Sequence, residues 1–199
     1  MRVHPIEEES YRIMRSRVDL SRWSDRERDV VERMVHATAD ESFATSARIG
    51  SEAVERACVA LASGAPIVVD AAMVAAGITS RPTECFLAEV PVAPFGVTRS
   101  AAAIAVAAER HPSGALWVFG NAPSALAALL ELRRAGTVDP AAVVGLPVGY
   151  VGAARAKDDL RRSELGVRAI TNVGERGGSP VAAAAVNALL RIVDAAAGC

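Results

Sequence analysis

Leu116-Trp117-Val118-Phe119-Gly120-Asn121 is a short run of apolar β-formers that breaks at a glycine and an asparagine, and Ala122 to Arg134 behind it reads as an Ala-rich helix. The same unit recurs at Ile67-Val68-Val69-Asp70, at Val143-Val144-Gly145-Leu146-Pro147 and at Val167-Arg168-Ala169-Ile170-Thr171-Asn172. None of the runs alternates apolar with polar residues. Helices predicted at Ser100 to Arg110, roughly Tyr150 to Arg162, and Pro180 to Ala195 alternate with them. Strands covered on both faces read this way. The expectation is an α/β fold with an open, doubly wound, mostly parallel sheet, helices on both faces and a helical N-terminal section. Such sheets bind ligands in the crevice outside the carboxyl ends of their strands, so the strand-end loops locate a site before its chemistry is known.

Outward from the strands, the N-terminal section reads as three helices. The first starts at Pro5, with Ile6, Ile13, Met14 and Val18 as its apolar stripe. The second opens with the capping pair Ser24 and Glu27 and carries Val30, Val31, Met34 and Val35. The third runs from near Ser51 to a glycine stop at Gly64. One domain over 1–199 is expected, with helices to about 64 and βα repeats from 65. Thr79 to Thr98, with Pro82, Pro91, Pro94 and Gly96, reads as a long irregular excursion.

Composition narrows the function classes. With 51% hydrophobic and 23% charged residues, the 199-residue chain is globular rather than disordered. Cys58, Cys85 and Cys199 fit neither a zinc-ribbon spacing nor a disulfide framework, so no metal site and a reducing compartment are expected. No signal-like segment opens the chain and no membrane-spanning length is apparent, which predicts a cytoplasmic protein without a membrane partner. A net charge of -1 argues against a nucleic-acid partner. Lys157 is the only lysine; the other 21 of the 22 basic residues are arginines, as a GC-rich genome would give.

The strand-end loops hold the first candidates. Asn121 before Pro123 is either a helix cap or a ligand contact, and Asp70 is ambiguous in the same way. Gly174-Glu175-Arg176-Gly177-Gly178-Ser179-Pro180 is more specific: its glycines allow close backbone approach, Arg176 supplies a fork, and a helix N-terminus follows. The loop lacks both the Walker and the dinucleotide spacing, so it suits an anion and not a nucleotide. Among the histidines, His4 and His111 read as solvated. His36 flanks the apolar stripe near the end of the second helix, either as a capping residue or as an acid whose ordinary pKa near 6.5 suits proton transfer at cellular pH.

Arg33-Met34-Val35-His36, Thr98-Arg99-Ser100-Ala101-Ala102-Ala103, Gly120-Asn121-Ala122-Pro123-Ser124-Ala125-Leu126, Pro147-Val148-Gly149-Tyr150-Val151-Gly152-Ala153-Ala154 and Gly177-Gly178-Ser179 together resemble the precorrin-8X methylmutase family. The resemblance runs from about Ile6 to Leu190. It implies an isomerase of cobalamin biosynthesis that moves a methyl group between adjacent carbons of precorrin-8X, or of its cobalt form, to give hydrogenobyrinate or cobyrinate. It also implies no cofactor and a homodimer with the site close to the subunit interface. The substrate would be a flat tetrapyrrole polycarboxylate, which arginines and helix N-termini suit.

By the resemblance His36 is the general acid, and Ser10 and Arg99 contact substrate. Arg15, Thr79, Asn121 and Arg176 join them by location. The second helix would fold across the strand ends to bring His36 over the crevice. Where the family has Glu-Ser-Lys, this chain has Arg155-Ala156-Lys157, and Ala72 replaces a frequent glutamate. These departures bear on fine specificity and activity more than on fold. Two other readings are a non-catalytic corrinoid-binding protein and a lysine-dependent enzyme built on Lys157, whose ordinary role would be that of a solvated helix lysine beside Asp158 and Asp159.

Overall fold

The computed structural model describes residues 4–198, so Cys199 lies outside it. In chain order the elements are α1 (Pro5–Arg15), α2 (Asp25–Thr38), α3 (Ser42–Ser46), β1 (Ala47–Ile49), α4 (Ala53–Ala62), β2 (Ile67–Val69), α5 (Ala72–Gly77), α6 (Arg99–Arg110), β3 (Leu116–Phe119), α7 (Pro123–Arg134), β4 (Ala142–Gly145), α8 (Ala153–Arg162), β5 (Ala169–Asn172) and α9 (Ser179–Ala197). Short 3₁₀ turns span Phe86–Glu89 and Glu164–Arg168. The second turn takes Val167 and Arg168, which the sequence reading had placed in a strand.

The sheet order is β1-β5-β4-β3-β2. β2 to β5 are parallel, and β1 closes the edge beside β5 antiparallel, with Ala47 opposite Asn172 and Arg48 opposite Thr171. Both faces are apolar, and side chains alternate between them. Val68, Trp117, Phe119, Val143 and Ala169 pack under α6, α7 and α8, the crossovers between neighbouring strands. Ile67, Val69, Leu116, Val118, Val144 and Ile170 face the other way, under α4, α5 and α9 with α2 beyond them. Successive crossovers that move along a sheet in one direction fall on one side of it. The second face is therefore covered by the N-terminal helices and by α9.

α9 has the length and apolarity of a membrane span, against the expectation that no segment would. Its apolar residues Val181, Val186, Leu189 and Leu190 are buried against α2, α4 and the sheet, which gives that composition a core function. α2 packs lengthwise on α9. Ser24 N–H donates to Glu27 Oε2 (3.0 Å) and opens α2 where expected. Ala39, in the left-handed conformation at φ 50°, ends it.

α1 differs from its sequence reading. Ile6 is 73% exposed and Ile13 38%, and Met14 is the helix's one buried residue. The face turned to α2 carries Glu7, Ser10 and Tyr11 instead, one helical stripe with Met14. The excursion is also less irregular than expected. Glu84 pairs along β2, its N–H donating to Ile67 O (2.8 Å) and its carbonyl accepting from Val69 N–H (2.9 Å).

Candidate functional site

Three loops meet at the carboxyl ends of the parallel strands. Asp70, at the end of β2, is buried, and its carboxylate accepts from the backbone N–H groups of Gly120 (3.0 Å), Asn121 (2.9 Å) and Ala122 (2.7 Å). It organises the β3–α7 loop. Burial raises its pKa, and the three N–H donors act against that rise. Asn121 enters the fold through its backbone, and its exposed side chain has no hydrogen-bond partner among the described residues.

The β4–α8 and β5–α9 loops lie against each other. Gly178 N–H donates to Leu146 O (2.9 Å) and Gly149 N–H to Glu175 O (3.1 Å). A Cβ at Gly177 would stand 2.3 Å from Leu146 O and 2.5 Å from Pro147 O. That glycine is needed for contact with the chain itself, not, as the sequence suggested, with a ligand. The Arg176 guanidinium is engaged with the Asp40 carboxylate and with Ser42 Oγ (2.8 Å). Burial pushes the Asp40 pKa up, but the Ser42 hydrogen bonds and the Arg176 charge outweigh it and leave the carboxyl below its ordinary value. Arg176 thus joins the strand-end rim to the chain just beyond α2.

Lys157 corrects its reading as a solvated helix lysine, since its exposure is 0%. Its Nζ donates to Asn172 Oδ1 (2.9 Å) and to the carbonyl of Arg176, which also accepts from Asn172 Nδ2 (2.9 Å). The pair props up the Arg176 loop from inside. Burial lowers the Lys157 pKa to about 8, against the pull of Glu175. The unfolded chain therefore binds more protons at this position between pH 8 and 10.5, and stability there rises with pH. Relative to Lys157→Met, the wild type should gain up to about 3 kcal/mol from pH 7 to 10.5 in chemical denaturation. A flat difference across that range would remove the buried ammonium from the account.

His36 lies half-buried in the last turn of α2. Its Nδ1 is 3.2 Å from Ser10 Oγ, and the Tyr11 ring stacks on the imidazole at 4.6 Å between centroids and 8° between planes. Nε2 has no hydrogen-bond partner among the described residues. Arg33 Nη1 donates to Tyr11 Oη (3.0 Å) and to Glu7 Oε1 (2.9 Å). Arg15 makes a two-pronged bond to Glu32 (2.8 and 2.7 Å), and its Cζ lies 5.4 Å from the Tyr11 ring centre. A cleft of about 430 Å³ between α1, α2 and α9 is lined by Tyr11, Arg15, Glu32, Arg33 and Arg191.

The expected residues therefore form separate groups. Ser10 and His36 are in contact. Arg15 adjoins Tyr11 but is committed to Glu32. Arg99, the first residue of α6, donates to Val90 O (2.9 Å) and Leu87 O (3.0 Å). It is tied to the Asn121 side of the rim where Thr98 Oγ1 meets Ser124 Oγ (2.7 Å). Thr79 is exposed just past α5, whose Gly77 packs on Ala183 of α9. α2 does not cross the strand ends as expected. It lies along α9, and the Arg176–Asp40 pair fixes its C-terminal end at the rim, four residues beyond His36. The sequence reading missed Tyr11 and Arg33. Their signal was the Glu7, Ser10, Tyr11, Met14 stripe, a three-four spacing that the exposed isoleucines of α1 obscured. Among the described residues no three His, Cys, Asp or Glu side chains cluster as a metal site would need.

A family model described as precorrin-8X methylmutase matches residues 5–192. A precorrin-8X methylmutase of Sinorhizobium sp. is 42% identical over 196 residues, covering 94% of this chain and 93% of the relative. A cobalt-precorrin-8 methylmutase of Methanothermobacter thermautotrophicus is 41% identical over 178 residues, covering 87% and 84%. Among solved structures, a precorrin-8X methylmutase from Thermus thermophilus superposes with a TM-score of 0.86 at 37% identity, covering 96% of each chain.

Proposed function

This chain belongs to the precorrin-8X methylmutase family and is by that membership an isomerase; from this premise we propose that it moves a methyl group between adjacent carbons of precorrin-8X or cobalt-precorrin-8, giving hydrogenobyrinate or cobyrinate, with His36 as general acid. The observation that carries the assignment of the acid is the asymmetry of the imidazole. Nδ1 is engaged by Ser10 and Nε2 has no partner among the described residues, so one nitrogen is fixed by the protein and the other is available to substrate.

Protonation of the conjugated macrocycle by His36 Nε2–H makes the ring electron-poor, and the methyl group then migrates with its bonding pair to the neighbouring carbon. The overall change is an isomerisation, so the proton given by His36 is balanced by one lost from the product. No covalent bond to the enzyme forms and no cofactor is required. Ser10, Thr79, Arg99 and Asn121 would take the peripheral carboxylates of the substrate, Arg99 through the N–H groups that its bonds to Val90 and Leu87 leave free. Arg176 would do so by exchanging its present partner Asp40 for a substrate carboxylate, and Arg15 with the guanidinium N–H groups that its bond to Glu32 leaves free. Exposed Val148, Tyr150, Val151 and Val173 on the rim loops offer apolar surface to the macrocycle or to the second copy of a cytoplasmic homodimer.

The test is to incubate the purified protein with metal-free and with cobalt-containing precursor and to follow the visible spectrum. Conversion to the rearranged corrinoid is expected. Tight binding of that corrinoid without conversion of either precursor would assign the protein instead to non-catalytic corrinoid binding. The buried, doubly engaged amine of Lys157 speaks for a structural cation rather than a Schiff-base nucleophile.

A further inference from the structure

We propose that Tyr11 is a positioning residue for His36, its ring face holding the imidazole in the plane from which Nε2 meets the substrate; this rests on the reading of His36 as general acid. A single hydrogen bond between Ser10 Oγ and Nδ1 pins one atom of the imidazole but leaves the ring free to tilt about the axis through that atom. The parallel Tyr11 ring, 8° from coplanar and 4.6 Å away, removes that freedom. Two successive residues of α1 thus fix one point and one plane, which together define the direction of Nε2.

Tyr11 is itself held more firmly than a half-buried aromatic needs for packing alone. Its hydroxyl accepts from Arg33 Nη1, which is anchored in turn on Glu7 one turn earlier in α1. The Arg15 guanidinium, locked on Glu32, lies 5.4 Å from the ring centre. The ring is therefore in contact both with the imidazole and with a frame of ion pairs joining α1 to α2. Misplacing a catalytic group by about 1 Å costs on the order of 10²-fold, so a support of this kind acts on turnover and not on affinity.

The experiment compares Tyr11→Leu, Tyr11→Phe and His36→Ala. Turnover of precorrin-8X is measured, and the His36 imidazole nitrogens, assigned by their loss in His36→Ala, are followed by NMR in each folded variant. Tyr11→Leu should lower kcat by about 10- to 100-fold with KM within about threefold, and its His36 nitrogen signals should broaden or average between tautomers. Tyr11→Phe, which keeps the stacked face, should restore kcat to within about threefold and keep the imidazole signals sharp. Unchanged imidazole signals and kcat in Tyr11→Leu overturn the proposal, as does a loss confined to KM. A His36→Ala protein that turns over normally overturns the general-acid reading instead, and the imidazole signals still decide whether Tyr11 orients the ring.

Discussion

Under the proposed mechanism, His36→Ala should lower kcat for precorrin-8X by about 10²- to 10⁴-fold, the usual contribution of a positioned general acid. Alanine removes the proposed proton donor together with the Ser10 hydrogen bond and the face stacked on Tyr11. The structural cost is small because the imidazole is half-buried at a helix end: about 1 kcal/mol for the hydrogen bond and a similar amount for the stack. The thermal midpoint should fall by only a few degrees. Single-turnover spectra of the precursor, taken alongside a melting curve, separate the two effects. A variant that melts normally and still converts precursor at the wild-type rate would move the acid to another residue.

Asp70→Ala is the substitution expected to damage the fold most. One buried carboxylate serves three successive N–H groups of the β3–α7 loop, and alanine leaves all three without an acceptor. An orphaned buried donor costs about 1–3 kcal/mol. Water can reach the exposed Asn121 but not the buried Gly120, so the total should be about 3–5 kcal/mol. For a chain of this length that is a fall of roughly 10 °C in thermal midpoint. Asp70→Asn keeps one oxygen acceptor and should lie between. A melting curve within about 2 °C of wild type for Asp70→Ala would mean that the loop keeps its shape without the carboxylate.

What the sequence made legible follows from how many partners each residue needs. The parallel strands were readable because Leu116 and Val118 face one layer while Trp117 and Phe119 face the other, so both phases of the alternation are apolar. α2 was readable from its capping pair. β1 was not: it is three residues long with an exposed Arg48 at its centre, and only its pairing with β5, more than 120 residues away, makes it a strand. α1 misled because isoleucine suggests a core and its core-facing stripe is largely polar. Among the candidate residues, His36 was proposed from local pattern and resemblance, whereas the ring stacked on it was passed over. Arg176 pairs with Asp40 from the other end of the chain, and Lys157 has Asp158 and Asp159 beside it in sequence but Asn172 beside it in space. Such pairings exist only after folding.

The two borders of the sheet share one property. At β2 the outer hydrogen-bonding groups are occupied by the backbone of Glu84, and at β1 the outward carbonyl of Ala47 accepts from the guanidinium groups of both Arg22 and Arg48. Such contacts make each margin a poorer template for an incoming strand, a useful property in a chain rich in continuous β-forming runs. A strand arriving at either margin would first have to displace these contacts.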